Sequence, residues 1–341
     1  MKGGEKHKYP YEWTLKDATF TKDKGKVFSC FACGGGSTMG YKLAGFDVIG
    51  MNEIDPKMAE CYIENHHPKY AYVEPIQEFK NRTDLPSELF DLDILDGSPP
   101  CSSFSMAGNR EKDWGKEKKF REGQSEQVLD TLFFDFIDLA KLLQPRVVIA
   151  ENVTGIIKGN AKDYSIKILK EFDKAGYQVN HFVLDASRMG VAQRRERVFF
   201  IGIRKDLANL LPQNDSMLFN DFPLLDLVFF EPIIPFGKIQ TSEGRPLSEF
   251  MTEIWRHREH GDLDFSCTNE RFRNKPNTGF GQNYAYKEKV IGTLTAKQDC
   301  FVKFDYPQYL SVEEKIKVGS FPTDYKFTAN PDFTIGMSVP P

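Results

Sequence analysis

"KVFSCFACGGGSTMGYKLAGFDVIGMNEID" (residues 26–55) decides how the rest of the chain is read. It runs as a strand, a glycine turn, a helix and a second strand that ends in an acid. The turn holds Gly34, Gly35, Gly36 and Gly40, and the acid is Glu53. Glycines let a backbone approach a ligand closely, and a carboxylate closing the second strand can take ribose hydroxyls. The pattern fits NAD, FAD and S-adenosylmethionine alike, and a purely structural glycine turn would look the same.

The same alternation continues outward. "DLDILDGSPPC" (91–101) is a strand running into a loop, and "QVLDTLFFDFIDLAKLL" (127–143) has apolar residues at helical spacing. "RVVIAENVTG" (146–155) is a β-branched strand ending in polar residues. The helix "YSIKILKEFDKAG" closes at Gly176, and the strands "QVNHFVLDA" and "RVFFIGIR" follow. Strands alternating with helices predict an α/β fold with a parallel, doubly wound sheet. After about residue 205 the rhythm breaks into a stretch rich in Pro, Asn and Gly. That marks a second domain or a long functional insertion.

The chain has 341 residues, 40% hydrophobic and 28% charged, the balance of an ordinary soluble protein long enough for two domains. No run approaches the roughly 20 apolar residues that span a bilayer. The first residues, "MKGGEKHKYPYEW", lack the apolar core of a secretory signal, so no membrane and a cytoplasmic location are expected. Six scattered cysteines do not make a disulfide framework. Cys30 and Cys33 form one CxxC without a second ligand pair, so no metal is expected. Net charge is −4, but residues 188–205 carry six basic side chains against one acidic. Residues 271–303 carry seven against two, interleaved with Phe272, Phe280, Tyr284, Tyr286 and Phe301. Such clusters suit a phosphate backbone and unstacked bases, or are simply solvated surface.

Polar groups gather at the predicted C-terminal strand ends, where open α/β sheets bind ligands. The prolines of "GSPPC" hold Cys101 on a rigid approach. "AENV" brings Glu151, where a desolvated carboxyl could act as a general acid. "QRRER" brings Arg195 and Arg197, which at i, i+2 on a strand would face the same way. A thiol, a carboxylic acid and two guanidinium groups are thus expected on one rim.

On these residues the chain resembles DNA (cytosine-5)-methyltransferases of the bacterial and phage type. Their cofactor turn is similar to "FACGGGSTMGYKLAGF" and their Pro-Cys loop to "GSPPCSSFSMAG". "TLFFDF", "AENV", "QRRERVFFIG", "YLSVEEKIKVGSFPTDY" and "IGMSVPP" are similar to their later motifs. The resemblance implies a Rossmann-like S-adenosylmethionine-dependent fold, with residues 1–205 as the catalytic domain, 206–325 as the target-recognition domain and 326–341 as a return segment. It implies Cys101 as covalent nucleophile, Glu151 at cytosine N3, Arg197 at O2, and Arg195 orienting the surroundings or a phosphate. For the cofactor it implies Phe31, Gly34, Gly35, Gly36, Glu53, Ile54, Ile76, Pro99 and Leu132. Ser103, Arg195, Thr293 and Leu294 would meet DNA, and residues 102–124 would close over a flipped base. Double-stranded DNA is the expected partner of a monomer, alongside a possible restriction endonuclease for the same site. The chain departs from the family pattern where Cys33 replaces a glycine, Pro75 an aspartate and Met337 an asparagine.

Other functions fit parts of the sequence. An amino-methyltransferase for cytosine N4 or adenine N6 would carry an aromatic residue in place of Cys101. An RNA cytosine-5-methyltransferase would carry a shorter 206–305 stretch. A dinucleotide-dependent dehydrogenase leaves "PPC" and "QRRER" unexplained. A non-catalytic DNA-binding module would be indifferent to loss of Cys101.

Overall fold

The computed structural model describes residues 11–100, 131–212, 222–223, 225–276 and 281–341, with the backbone of 117–118 and 127–128. Cys101, Ser103 and most of the expected closing loop 102–124 lie outside the described residues. Chain contacts divide the protein into two units: Thr19–Asp185 with Glu196–Val228, and the residues before Thr19 with Ala186–Arg195 and Phe229–Pro341.

The first unit is built on a seven-stranded sheet. Its strands are β1 (Lys26–Cys30), β2 (Asp47–Asn52), β3 (Tyr70–Tyr72), β4 (Ile94–Gly97), β5 (Val147–Val153), β6 (Tyr177–Asp185) and β7 (Glu196–Arg204). The spatial order is β3-β2-β1-β4-β5-β7-β6. The chain runs outward from β1 to β3 and returns at β4, so β1 and β4 flank the point where strand order reverses. β1 and β4 are covered on both faces, which is why "VFSC" and "ILDG" read as unbroken buried runs.

One strand departs from the all-parallel expectation. β7 lies antiparallel to both β5 and β6. A parallel crossover needs a dozen or more residues and usually a helix. Only residues 186–195 join β6 to β7, and they hold one short turn of helix.

Helices α1 (Gly36–Leu43), α2 (Pro56–His66), α3 (Ile76–Phe79), α4 (Leu132–Leu143), α5 (Lys162–Lys174) and α6 (Lys205–Ala208) belong to the same unit. Asp55 caps α2 by accepting from Lys57 N at 2.9 Å, with Pro56 preset for the first turn. α4 starts five residues later than its apolar pattern suggested, and buries Leu132, Phe133, Phe136, Ile137, Leu139, Ala140 and Leu143. These pack with Phe28, Phe79, Val148, Phe172 and Phe200 into one core. Removing a ring as buried as Phe136 would cost about 3–5 kcal/mol. That core fixes the strand ends on which the site depends.

The second unit holds α7 (Glu249–Arg256), α8 (Phe265–Arg273), α9 (Val312–Val318) and α10 (Pro331–Met337), with the parallel pair β8 (Asn283–Ala285) and β9 (Phe301–Lys303). Its core joins Ile254, Phe265, Tyr284, Tyr286 and Val302. A buried ion pair, Lys303 Nζ to Glu314 Oε1 at 2.8 Å, ties β9 to α9. The N-terminal segment is anchored here by Trp13 Nε1, which donates to Ser320 O at 2.8 Å.

Candidate active site

The turn from β1 to α1 winds through left-handed backbone at Phe31 (φ 52°), Cys33 (φ 47°) and Gly35 (φ 80°). Such a conformation costs a residue with a side chain roughly 1–2 kcal/mol, so something must hold it. Cys33 N donates to Glu53 Oε2 at 2.7 Å, and Gly35 N donates to Ala32 O at 2.9 Å. Glycine is required at 35 for a second reason: a Cβ there would stand 2.3 Å from His66 Nε2. Cys33 therefore occupies a backbone state suited to glycine, and pays for it with strain.

Glu53 is buried at the end of β2 and holds the turn from the other side. Its second oxygen accepts from Asp55 N at 2.8 Å. Burial pushes its carboxyl above the usual carboxylate range, while the backbone N–H groups of Asp55 and Cys33 pull the other way. Each carboxylate oxygen has two lone pairs. The backbone bonds from Cys33, Ile54 and Asp55 do not use all four, which leaves capacity for a ligand hydroxyl. Phe31 lies half-buried with its ring 6.4 Å from that of Phe136. Ile76 and Leu132 are buried in the core on which Phe31 packs, Ile54 is half-buried, and Gly34 and Gly36 are buried in the turn. A close-approach turn, a partly exposed ring and a buried carboxylate fit a nucleoside-bearing cofactor.

The second group lies where β4 leads into the Pro-Pro approach. Asn152, at the end of β5, donates from Nδ2 to Pro99 O at 2.9 Å, and its Oδ1 accepts from Val153 N. The residue after Glu151 thus fixes the carbonyl two positions before Cys101. Asp96 had no role in the sequence reading, yet it collects three hydroxyls. Its Oδ2 accepts from Ser29 Oγ at 2.9 Å and Ser37 Oγ at 2.8 Å, and its Oδ1 from Tyr41 OH at 3.1 Å. Burial pushes the Asp96 carboxyl up to about 6, and the three hydroxyl bonds resist that rise.

Glu151 and Arg197 meet on adjacent strands. Arg197 stands opposite Val153 in register, which places it diagonal to Glu151 on one face of the sheet. Arg197 Nε lies 2.9 Å from Glu151 Oε1, with both side chains mostly buried. Arg197 Nη1 also donates to Glu196 O.

Arg195 lies outside the strand that carries Arg197. The i, i+2 argument required a strand through both arginines, but β7 begins at Glu196, and Arg195 belongs to the second unit. There its guanidinium donates to Leu294 O at 3.1 Å and to Gly336 O at 3.2 Å. Thr293 Oγ1 donates to Arg194 O, and Leu294 N donates to the Gln193 side chain. The "QRR" and "GTLTA" segments are therefore laced together with Arg195, Thr293 and Leu294 in one place. Gly336 permits the close approach, since a Cβ there would meet Thr295 C at 2.3 Å. Among the described residues no group of His, Cys, Asp and Glu could hold a metal ion.

Comparison with known proteins places these features in a family. A model of the C-5 cytosine-specific DNA methylase family matches residues 25–341. The Type II methyltransferase M.FnuDI of Fusobacterium nucleatum is 37% identical over 182 residues, 53% of this chain and 48% of that protein. The chain thus spans about half the length of the curated relatives it matches first. A structure described as a prophage-encoded DNA modification methyltransferase (E. coli) aligns with TM-score 0.62 at 19% identity, covering 92% of this chain and 94% of the other. Spodoptera frugiperda DNMT2, as a triple mutant, aligns with TM-score 0.60 at 16% identity, covering 92% and 95%. At those identities the structural likeness concerns the fold, which is that of Rossmann-like methyltransferases. The match along nearly the whole chain carries the further conclusion: this protein belongs to the C-5 cytosine-specific DNA methylase family.

Proposed function

We propose that the chain transfers a methyl group from S-adenosylmethionine to C5 of a flipped cytosine in duplex DNA, through a covalent Cys101–C6 intermediate. The observation that carries this reading is the strand end that holds the Pro-Pro approach. Asn152 fixes Pro99 just before Cys101, and the same strand end presents Glu151 with Arg197.

Cytosine C5 is a poor nucleophile. Addition of a thiolate at C6 makes C5 electron-rich, which is the part given to Cys101. Glu151 would hydrogen-bond N3, with Arg197 holding Glu151 through Nε and offering its remaining N–H donors to O2. S-adenosylmethionine, when bound, supplies an electrophilic methyl group. Glu53 would take its ribose hydroxyls, Phe31 would lie against the adenine with Ile54, Ile76, Pro99 and Leu132 around it, and Gly34, Gly35 and Gly36 would allow close approach. Loss of the C5 proton and departure of Cys101 then release the methylated base. The target atom is closed off inside a stacked duplex, which is why base flipping belongs to the proposal.

Residues 206–325 would recognise the target, 326–341 would return to the catalytic domain, and Ser103, Arg195, Thr293 and Leu294 would contact DNA. A cytoplasmic monomer, paired with an endonuclease of the same specificity, completes the reading. Among the described residues no helix is long and apolar enough to cross a membrane. The test is transfer of labelled methyl into duplex DNA, followed by nucleoside analysis. Label in 5-methylcytosine is expected. Label in an N4- or N6-methylated base, or in RNA alone, would overturn the proposal.

A further inference from the structure

We propose that Asp96 is a positioning residue for the cofactor turn, latching α1 to the ends of β1 and β4, and that S-adenosylmethionine binding requires the ionised latch. This rests on the cofactor reading given above. Ser29 stands directly opposite Asp96 in the parallel register of β1 and β4, immediately before the turn. Ser37 and Tyr41 lie four residues apart on α1 and so share one face of it. One carboxylate therefore gathers hydroxyls from both ends of the glycine turn, at 2.8 to 3.1 Å, while only 4% exposed. These partners are all hydroxyls, so the charge rests on donated hydrogen bonds.

The chemistry of those bonds depends on the proton. An ionised carboxylate accepts from all three hydroxyls. A protonated one must itself donate, so one hydroxyl has to turn from donor to acceptor. The groups facing Asp96 are Cys30 from β1, Tyr41 from α1, Tyr62 from α2 and Glu151 from β5. Burial pushes the Cys30 thiol and both phenols upward, which keeps them neutral near pH 6. Glu151 is paired with Arg197. Below about pH 6 the latch loses its charge, and the hydroxyls that flank the turn carrying Gly34 to Gly36 must exchange donor and acceptor roles. Glu53, the other buried carboxylate of the turn, is the competing source of any acid limb.

The test is direct calorimetric titration of the full chain with S-adenosylmethionine from about pH 5 to about pH 8, for the wild type, Asp96→Asn and Ser37→Ala. The wild-type Kd should rise about tenfold as pH falls through the Asp96 transition. Asp96→Asn should show that weakened Kd throughout, with the limb gone, and Ser37→Ala should bind about threefold more weakly at neutral pH. A merely structural role would lower stability without removing the limb. Asp96→Asn with wild-type affinity and an intact limb would overturn the proposal and assign the limb to Glu53. If Asp96→Asn does not fold, as read by circular dichroism, Ser37→Ala decides, and unchanged affinity overturns it. A folded wild type that binds no S-adenosylmethionine at any pH would instead bring down the cofactor reading, and the latch with it.

Discussion

Replacing Arg197 tests the geometry of the site through its energetics. Its Nε lies 2.9 Å from Glu151 Oε1, and the two side chains are 17% and 11% exposed. Exposed ion pairs contribute about 0–1 kcal/mol. Breaking a fully buried pair costs about 3–5 kcal/mol, because one charge stays behind unpaired. At this exposure Arg197→Ala should cost about 2–3 kcal/mol, including the packing of its aliphatic stem. Glu151→Gln keeps an acceptor for Nε and should cost about 1 kcal/mol. With both changed, the uncompensated charge is gone, so the double variant should be about 1–2 kcal/mol more stable than the sum of the singles predicts. Urea unfolding of the four proteins measures this coupling. In the methylation assay Arg197→Ala should lower kcat and leave the KM for S-adenosylmethionine near wild type, since neither residue touches the first turn. Additivity within about 0.3 kcal/mol would refute the ion pair as the feature that orders this face.

Three further outcomes follow from the same structure. The folded-state carboxyl of Asp96 stands near 6 against an ordinary 3.8, so its contribution to stability is fully present below 3.8 and is lost as pH rises through 6. The stability of wild type relative to Asp96→Asn should therefore fall by up to about 3 kcal/mol from about pH 4 to pH 7, and a flat difference would contradict the shift. Gly35→Ala places a Cβ against the His66 ring and forces a left-handed alanine, so it should cost about 1–3 kcal/mol in thermal unfolding and weaken cofactor binding. Lys303→Met leaves Glu314 buried without its cation and should cost about 3–5 kcal/mol by urea unfolding, whereas an unchanged midpoint would rule out a structural role for the pair.

How far the sequence carried depended on the range of the interaction. The glycine turn and six of the seven sheet strands were legible because backbone conformation, hydrophobic runs and strand ends are local signals; β3 (Tyr70–Tyr72), only three residues long, carries no such run. Asp96 was visible as an acid in a buried run, but its role depends on register with Ser29, 67 residues away, and no local pattern encodes that. The Asn152 bond to Pro99 was hidden for the same reason. Arg195 and Arg197 look equivalent in "QRRER", and only the start of β7 at Glu196 separates them. The reversed direction of β7 was readable in principle from the short 186–195 connection, which cannot carry a crossover helix. Cys33 departs from glycine in the sequence itself, and its left-handed backbone explains what that departure costs.

Attack of Cys101 on cytosine C6 can be caught by trapping the adduct. Duplex DNA carrying 5-fluorocytosine is incubated with the chain and S-adenosylmethionine. The fluorine cannot leave as a cation, so the covalent intermediate persists. A denaturing gel should show a protein–DNA adduct that disappears in Cys101→Ser. Normal DNA that accepts labelled methyl while the fluorinated duplex forms no adduct would contradict the account and remove Cys101 from the chemistry.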